Sequence, residues 1–267
     1  MSAVAIALTV ALWWGSTGLI ALLVRRGPRS FPALLGGASV VAVLGLAVLV
    51  AVRDATDAAG AIAAFVAALA LWAWIEITFL TGALTGPVRA LPPTVPRRGW
   101  RHALAALTAI LWHELAILAV LAAVALLVVG HANLIGLGTL LVLWVLRSSA
   151  KLNLFLGVRN LGEGFLPSHL AHLLDHLHRR PMNALLPFSV LSGTALAVWL
   201  AGRALDATLP VGSVGCTLLA TLAVLGVLEH LLMVLPIAPE SLWGLRTAKP
   251  LPASPLGGAA RPEIRHD

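Results

Sequence analysis

Stretches of about twenty apolar residues recur along this chain, and that recurrence limits its fold more than any motif does. Each stretch is long enough to cross a hydrocarbon core of about 30 Å as a helix. They are continuous Leu, Ala and Val blocks rather than the short alternating segments of a membrane β-barrel. Seven spans are expected, near residues 3–24, 33–52, 60–81, 103–129, 132–152, 184–202 and 212–235. Only 11% of the 267 residues are charged and 60% are hydrophobic, against roughly a quarter charged in a soluble domain. The expected fold is therefore all-α and polytopic, a single membrane domain over residues 1–246. Cys216 stands alone, so no disulfide framework or multi-cysteine metal site can form within one chain.

Orientation follows from the loops. Of the 18 Lys and Arg residues, only Arg53 and Arg203 fall on one side of the expected topology. Basic loops stay cytoplasmic, which places the N terminus outside and the C terminus inside. The same asymmetry explains a pI near 11.4 as topology and attraction to anionic lipid, with no nucleic-acid partner. The first apolar run has no basic residues before it and is expected to be kept as an anchor rather than cleaved. Residues 247–267 are rich in Pro, Gly and Ala without periodicity and are expected to be a disordered cytoplasmic tail. Gly130 marks the one connection expected to be tight, between spans four and five.

An ionisable side chain at the middle of a spanning helix costs roughly 2.5 to 3.5 kcal/mol, and this chain carries several. Glu76 lies in span three, His113 and Glu114 in span four, Arg147 and Lys151 in span five, and Glu229 and His230 in span seven. At 1.5 Å per residue, Glu76 and Glu229 would lie roughly 8 to 9 Å from the inner surface and Glu114 about 17 Å. Four helices thus converge on one polar cluster in the cytoplasmic half of the membrane. Arg147 and Lys151 are spaced i, i+4 and share a face with Trp144, as Glu76 does with Trp72. Three readings fit such a cluster: an ion-pair network that fixes helix packing, a pigment site with His113 and His230 as axial ligands, or a metal centre. Adjacent His–Glu pairs point about 100° apart on a helix and fit a metal centre poorly, and HELAI lacks the second histidine of a zincin motif.

Residues 153–183 are too polar to span. An amphipathic helix is expected near 167–180, capped by Ser168, with Leu170, Leu173, Leu174 and Leu177 as its apolar stripe. In an α-helix, His169, His172 and His176 would share the opposite face, an ordinary polar face at the headgroup level or part of a metal site. Arg159 and Asn160 are expected to reach back over the mouth of the cluster. Phosphate-loop, dinucleotide-turn and nucleophile-elbow motifs are absent, and no internal repeat suggests a transporter.

Ordered blocks then carry a family resemblance. They are WWGSTG (13–18), EITFLTG (76–82) with Gly86 and Pro87, HELAI (113–117), AKLNLFLGVRN (150–160), FLPSHL (165–170), RRPMN (179–183), LEH (228–230) and VLP (234–236). In this order and spacing the chain resembles the PuhE-type photosynthetic complex assembly proteins of purple and related phototrophic bacteria, over about residues 12–244. The resemblance implies an inner-membrane, multi-pass protein that supports assembly of the reaction centre and core light-harvesting complex, or modulates bacteriochlorophyll supply to them. Its expected partners are those subunits and the lipid bilayer, and its expected ligand is bacteriochlorophyll or a precursor. The shared blocks coincide with the polar cluster, so Glu76, His113, Glu114, Arg147, Lys151, Asn153, Glu229 and His230 are the candidate site. The alternative is a metal-dependent membrane enzyme of tetrapyrrole or lipid metabolism using the same residues.

Overall fold

In the computed structural model, residues 2–88, 98–237 and 243–244 are described. The Pro92–Pro93 break and the tail 247–267 lie outside them, as do several of the basic residues counted above. Among the described residues all regular structure is helical apart from one isolated bridge between Val158 and Arg179. Eight α-helices run α1 (Ala3–Val24), α2 (Phe31–Ala51), α3 (Ala58–Leu80), α4 (Trp100–Ala109), α5 (Leu111–Val128), α6 (Ile135–Leu156), α7 (Leu185–Asp206) and α8 (Pro210–Leu232). All but α4 are long and apolar enough to cross a membrane, which makes seven candidate spans.

Local chemistry sets the ends. Ser2 caps α1 by accepting from the Ala5 amide, and Asp57 caps α3 by accepting from Gly60 at 2.7 Å; both use a short side-chain oxygen to satisfy an amide that has no intrahelical partner. Pro210 opens α8, where its missing N–H costs nothing. Gly157, at φ 112°, lets the chain leave α6 in a conformation a β-carbon would resist.

α3 and α8 form the centre. Their Ala- and Gly-rich faces pack against α2, α6 and α7, and Phe65, Ile75, Leu218 and Leu222 are buried there. The backbones approach closely because side chains are small. A β-carbon on Gly226 would meet the Leu146 side chain of α6 at 2.4 Å, and one on Gly45 would meet the Ala67 carbonyl of α3 at 3.0 Å. α1, α2 and α7 turn Leu22, Leu44, Leu191 and Trp199 outward, as lipid-facing helices do.

Three expectations are corrected. The fourth span is broken at Ile110, whose φ and ψ of −121° and 11° leave the helix. The loop after α3 causes the break: Thr85 takes the His113 amide at 3.0 Å, a bond that would otherwise close within a continuous helix, and Gly86 sits against the Thr108 and Ala109 backbone. The tightest connection between candidate spans is not at Gly130 but between α7 and α8, only residues 207–209, because both helices extend beyond their apolar blocks. The segment Ser168–His176 is a 3-10 helix rather than an α-helix, and Ser168 makes no side-chain cap. With three residues per turn, Leu170, Leu173 and His176 share the buried face, whereas His169 is turned to the Leu80 carbonyl at 3.1 Å.

Candidate functional site

The polar residues picked out in the sequence do meet, at the end of the bundle where α3, α6 and α8 finish and α5 begins. Arg147 of α6 faces Glu76 of α3 through two parallel approaches of 3.4 Å, Nη2 to Oε2 and Nε to Oε1. Lys151, one turn on, donates to Glu114 of α5 at 2.5 Å. The i, i+4 spacing therefore delivers each cation to a different carboxylate on a different helix. Glu229 of α8 lies within electrostatic reach of Arg147 and has the Trp13 indole of α1 as its hydrogen-bonding neighbour. The Arg147–Glu76 pair ties α6 to α3, and the Lys151–Glu114 pair ties α6 to α5. Opposite charges buried in lipid must pair in this way or neutralise.

Depth differs from the sequence expectation. The break at Ile110 moves Glu114 into the first turn of α5, so it lies near the end of the bundle rather than at its middle. Arg147, nine residues before the end of α6, is the deepest member, about 13 Å in at 1.5 Å per residue. Its long side chain rises to the level of Glu76, as arginines in bilayers commonly do.

The histidines differ from each other. His230 donates from Nδ1 to the Gly226 carbonyl at 2.7 Å, so Nε2 is the acceptor for the Ser149 hydroxyl at 2.9 Å. Both nitrogens are spent. His113, 1% exposed, packs against the Phe79 ring at 4.5 Å, and neither of its ring nitrogens has a hydrogen-bond partner. It is the one imidazole in the cluster with a lone pair to offer a ligand.

Asn153 does not join the charges. Its amide nitrogen donates to the Ser149 carbonyl at 2.9 Å and to the Ser189 hydroxyl of α7 at 2.8 Å. Asn183 in turn donates to the Asn153 and Gly157 carbonyls and accepts from the Leu185 and Leu186 amides, which caps α7. Ser149, Ser189 and Asn183 were missed in the sequence reading, although RSSAKLN carries a signal for one of them. Ser149 and Asn153 form a second i, i+4 stripe beside Arg147 and Lys151. That stripe is neutral and fixes α6 to α7 and α8. Of residues 159–160, which were expected to reach over the cluster, Asn160 lies at the same end of the bundle: its side-chain amide nitrogen sits 2.7 Å from the Leu232 carbonyl and 2.6 Å from that of Leu235, so it caps the end of α8.

As chemistry, the site is an ion-paired lock across three helices, α3, α5 and α6, with one uncommitted imidazole at its edge. The carboxylates Glu76 and Glu114 already hold cations, so they are not poised as free bases or metal ligands.

Comparison with known proteins agrees with the extent of this architecture. A protein of Rhodobacter capsulatus described as "Uncharacterized 30.4 kDa protein in puhA 5'region" is 37% identical over 241 residues, covering 88% of this chain and 87% of its own. No solved structure matches the chain. Residues 1–250 match the family described as "Protein of unknown function (DUF3623)", and the chain therefore belongs to that family.

Proposed function

We propose that this protein is an inner-membrane assembly factor for the bacterial photosynthetic apparatus, oriented with its N terminus outside and its basic loops in the cytoplasm. The observation that carries this reading is the Rhodobacter capsulatus relative, whose name sets it in the puhA 5' region, together with the ordered sequence blocks shared with photosynthetic assembly proteins. The geometry favours a docking role over catalysis, because Glu76 and Glu114 are already committed to Arg147 and Lys151. A rigid bundle with apolar outer helices would meet reaction-centre and core light-harvesting subunits by packing within the bilayer.

A bacteriochlorophyll or precursor fits His113 better than His230. The His113 ring nitrogens are buried and unpartnered, whereas His230 would first have to release Ser149. When bound, such a pigment would supply light absorption and a metal that accepts one axial nitrogen. The His113 imidazole would supply that nitrogen, with the Phe79 ring as a wall.

Two measurements test the reading. Deleting the gene in a phototrophic host should lower the near-infrared absorption of the reaction centre and core antenna in isolated membranes. Unchanged complexes in the deletion strain would remove the assembly role. Protein purified from the same host should carry visible pigment absorption that His113→Ala abolishes, and a colourless wild-type protein would remove the ligand.

A further inference from the structure

Among the described α-helices, only α4 is too short to span a bilayer, yet its outward face is apolar. The 18 residues of α5 cover about 27 Å at 1.5 Å per residue, close to the roughly 30 Å of a hydrocarbon core. The ten residues of α4 therefore stand past the end of that span, at the end of the bundle that carries the polar cluster. We propose that α4 is a membrane-surface helix: Trp100, Leu104 and Leu107 enter the boundary between headgroups and acyl chains, and Arg98 and Arg101 engage the phosphates of anionic lipids. The proposal depends neither on the assembly role nor on a pigment.

The two faces of α4 have neighbours of different kinds. Inward, the His102 ring stacks on that of His176 with centroids 5.9 Å apart, and Ala109 joins Phe79, Leu170 and Leu173 in a small apolar core. Outward, Trp100 is 72% exposed, and Leu104 and Leu107 are exposed with it. A helix whose second face met water would turn polar residues to it. The outward residues instead continue a surface that faces lipid. Leu104, Leu107, Leu111, Leu115 and Leu118 follow one another at intervals of three and four, the repeat of one helix face. Trp112, Leu115 and Leu118 are exposed on the candidate span α5, so the apolar strip runs from the span onto α4. An exposed apolar strip of this kind marks an interaction surface, and its continuity with α5 makes lipid the occupant.

Charge selects the kind of lipid. α4 contains no Asp or Glu. The Arg101 guanidinium lies 5.7 Å from the centroid of the Trp100 ring, and an indole with a cation beside it suits the headgroup level. Arg98, just before α4, is exposed and lines a cleft with Asp175 and Arg179. Arg179 is paired with Glu163, and Asp175 is a single carboxylate beside Arg98, so with Arg101 this edge stays net positive. A basic edge next to an apolar face is the pattern of a helix held on an anionic leaflet. α4 leads into the first turn of α5, so lipid contact would brace the segment that carries His113 and Glu114.

The test uses the full-length protein in nanodiscs, in a Cys216→Ala background, with a nitroxide on Leu104→Cys and, as a reference within the span, on Leu118→Cys. Oxygen collides with labels in lipid and a water-soluble nickel chelate with labels in water; lipids labelled at the headgroup and along the chain calibrate depth. The Leu104 label should lie about 5 to 10 Å inside the headgroup boundary, and the Leu118 label deeper. When phosphatidylglycerol replaces phosphatidylcholine, amide exchange over residues 100–109 should slow by about 5-fold for each arginine, the factor that matches about 1 kcal/mol per basic residue at an anionic surface. Arg98→Gln with Arg101→Gln should remove that slowing, as should high salt, while an unchanged Leu118 depth shows that the variant is folded. A Leu104 label that meets the nickel chelate as freely as a label in bulk water would overturn the proposal. So would dipolar broadening between the labels of two copies, which would give the face to a second chain. Exchange indifferent to phosphatidylglycerol in the folded wild-type protein would overturn the part assigned to the arginines.

Discussion

The two polar regions of this molecule solve opposite problems. Inside the bundle, Glu76, Glu114, Arg147 and Lys151 each have an oppositely charged partner on another helix. Beyond the helix ends, His102 and His176 are more deeply buried, and their rings stack on one another. The difference follows from side-chain chemistry. A carboxylate or guanidinium cannot sit in hydrocarbon unless it is paired, whereas an imidazole can discard its proton and be buried neutral. Charge pairing therefore locks the bundle, and the histidine region is the part that responds to protons.

The largest effect should come from breaking a lock from one side. Lys151→Ala strands Glu114 and should destabilise the bundle by about 3 kcal/mol, the lower end of the range for a buried pair, because each side chain keeps 20% exposure. Replacing both partners, with Glu114→Gln and Lys151→Met, should recover most of that loss in detergent unfolding. If the single and double variants are equally unstable, the pair is not what locks α5 to α6. Arg147→Lys keeps the charge but loses the two-pronged approach to Glu76. Arg147 is 39% exposed, so about 1 to 2 kcal/mol is expected, read in the same assay. Ser149→Ala should cost about 1 kcal/mol, the usual worth of one hydrogen bond, by leaving Nε2 of His230 without a donor.

The smallest effect, confined to the histidine region, is one of pH. His176 has a lower proton affinity folded than unfolded, where its value is near 6.5. Below that value the unfolded segment takes up protons that the folded one does not, so its docking weakens as pH falls from about 6.5 and is unaffected above it. Amide exchange over residues 168–178 should accelerate at low pH while the centres of α3 and α8 stay protected, and His176→Gln should flatten the response. Equal acceleration in both regions would erase the contrast between them.

Much of the architecture was legible because hydropathy is a one-dimensional signal and the bilayer imposes a fixed length. The first span was read to the residue, and the others to within a few residues of the helices, apart from the fourth. That span misled because its break at Ile110 is made by another part of the chain. The loop carrying Thr85 and Gly86 takes an amide and a face of the helix, and nothing in LTAILWHEL records the intrusion. Glu114 was placed too deep for the same reason. The gathering of Glu76, Glu114, Arg147 and Lys151 in one half of the bundle was visible from their positions along the apolar spans, since lipid leaves charged side chains only each other as partners. Their partners were not, because pairing depends on how far each helix is rotated about its axis.

The histidines make the same point from outside the membrane. His169, His172 and His176 share a face only at 3.6 residues per turn, and the tighter winding turns His176 inward with Leu170 and Leu173 and leaves His169 at the end of α3. By itself, the sequence determined the seven apolar spans and the set of polar residues that lipid forces together. Only the tertiary structure decided which carboxylate meets which cation, where the fourth span breaks and which histidines cluster. Those outcomes depend on contacts between segments as much as 70 residues or more apart, and no local pattern encodes them.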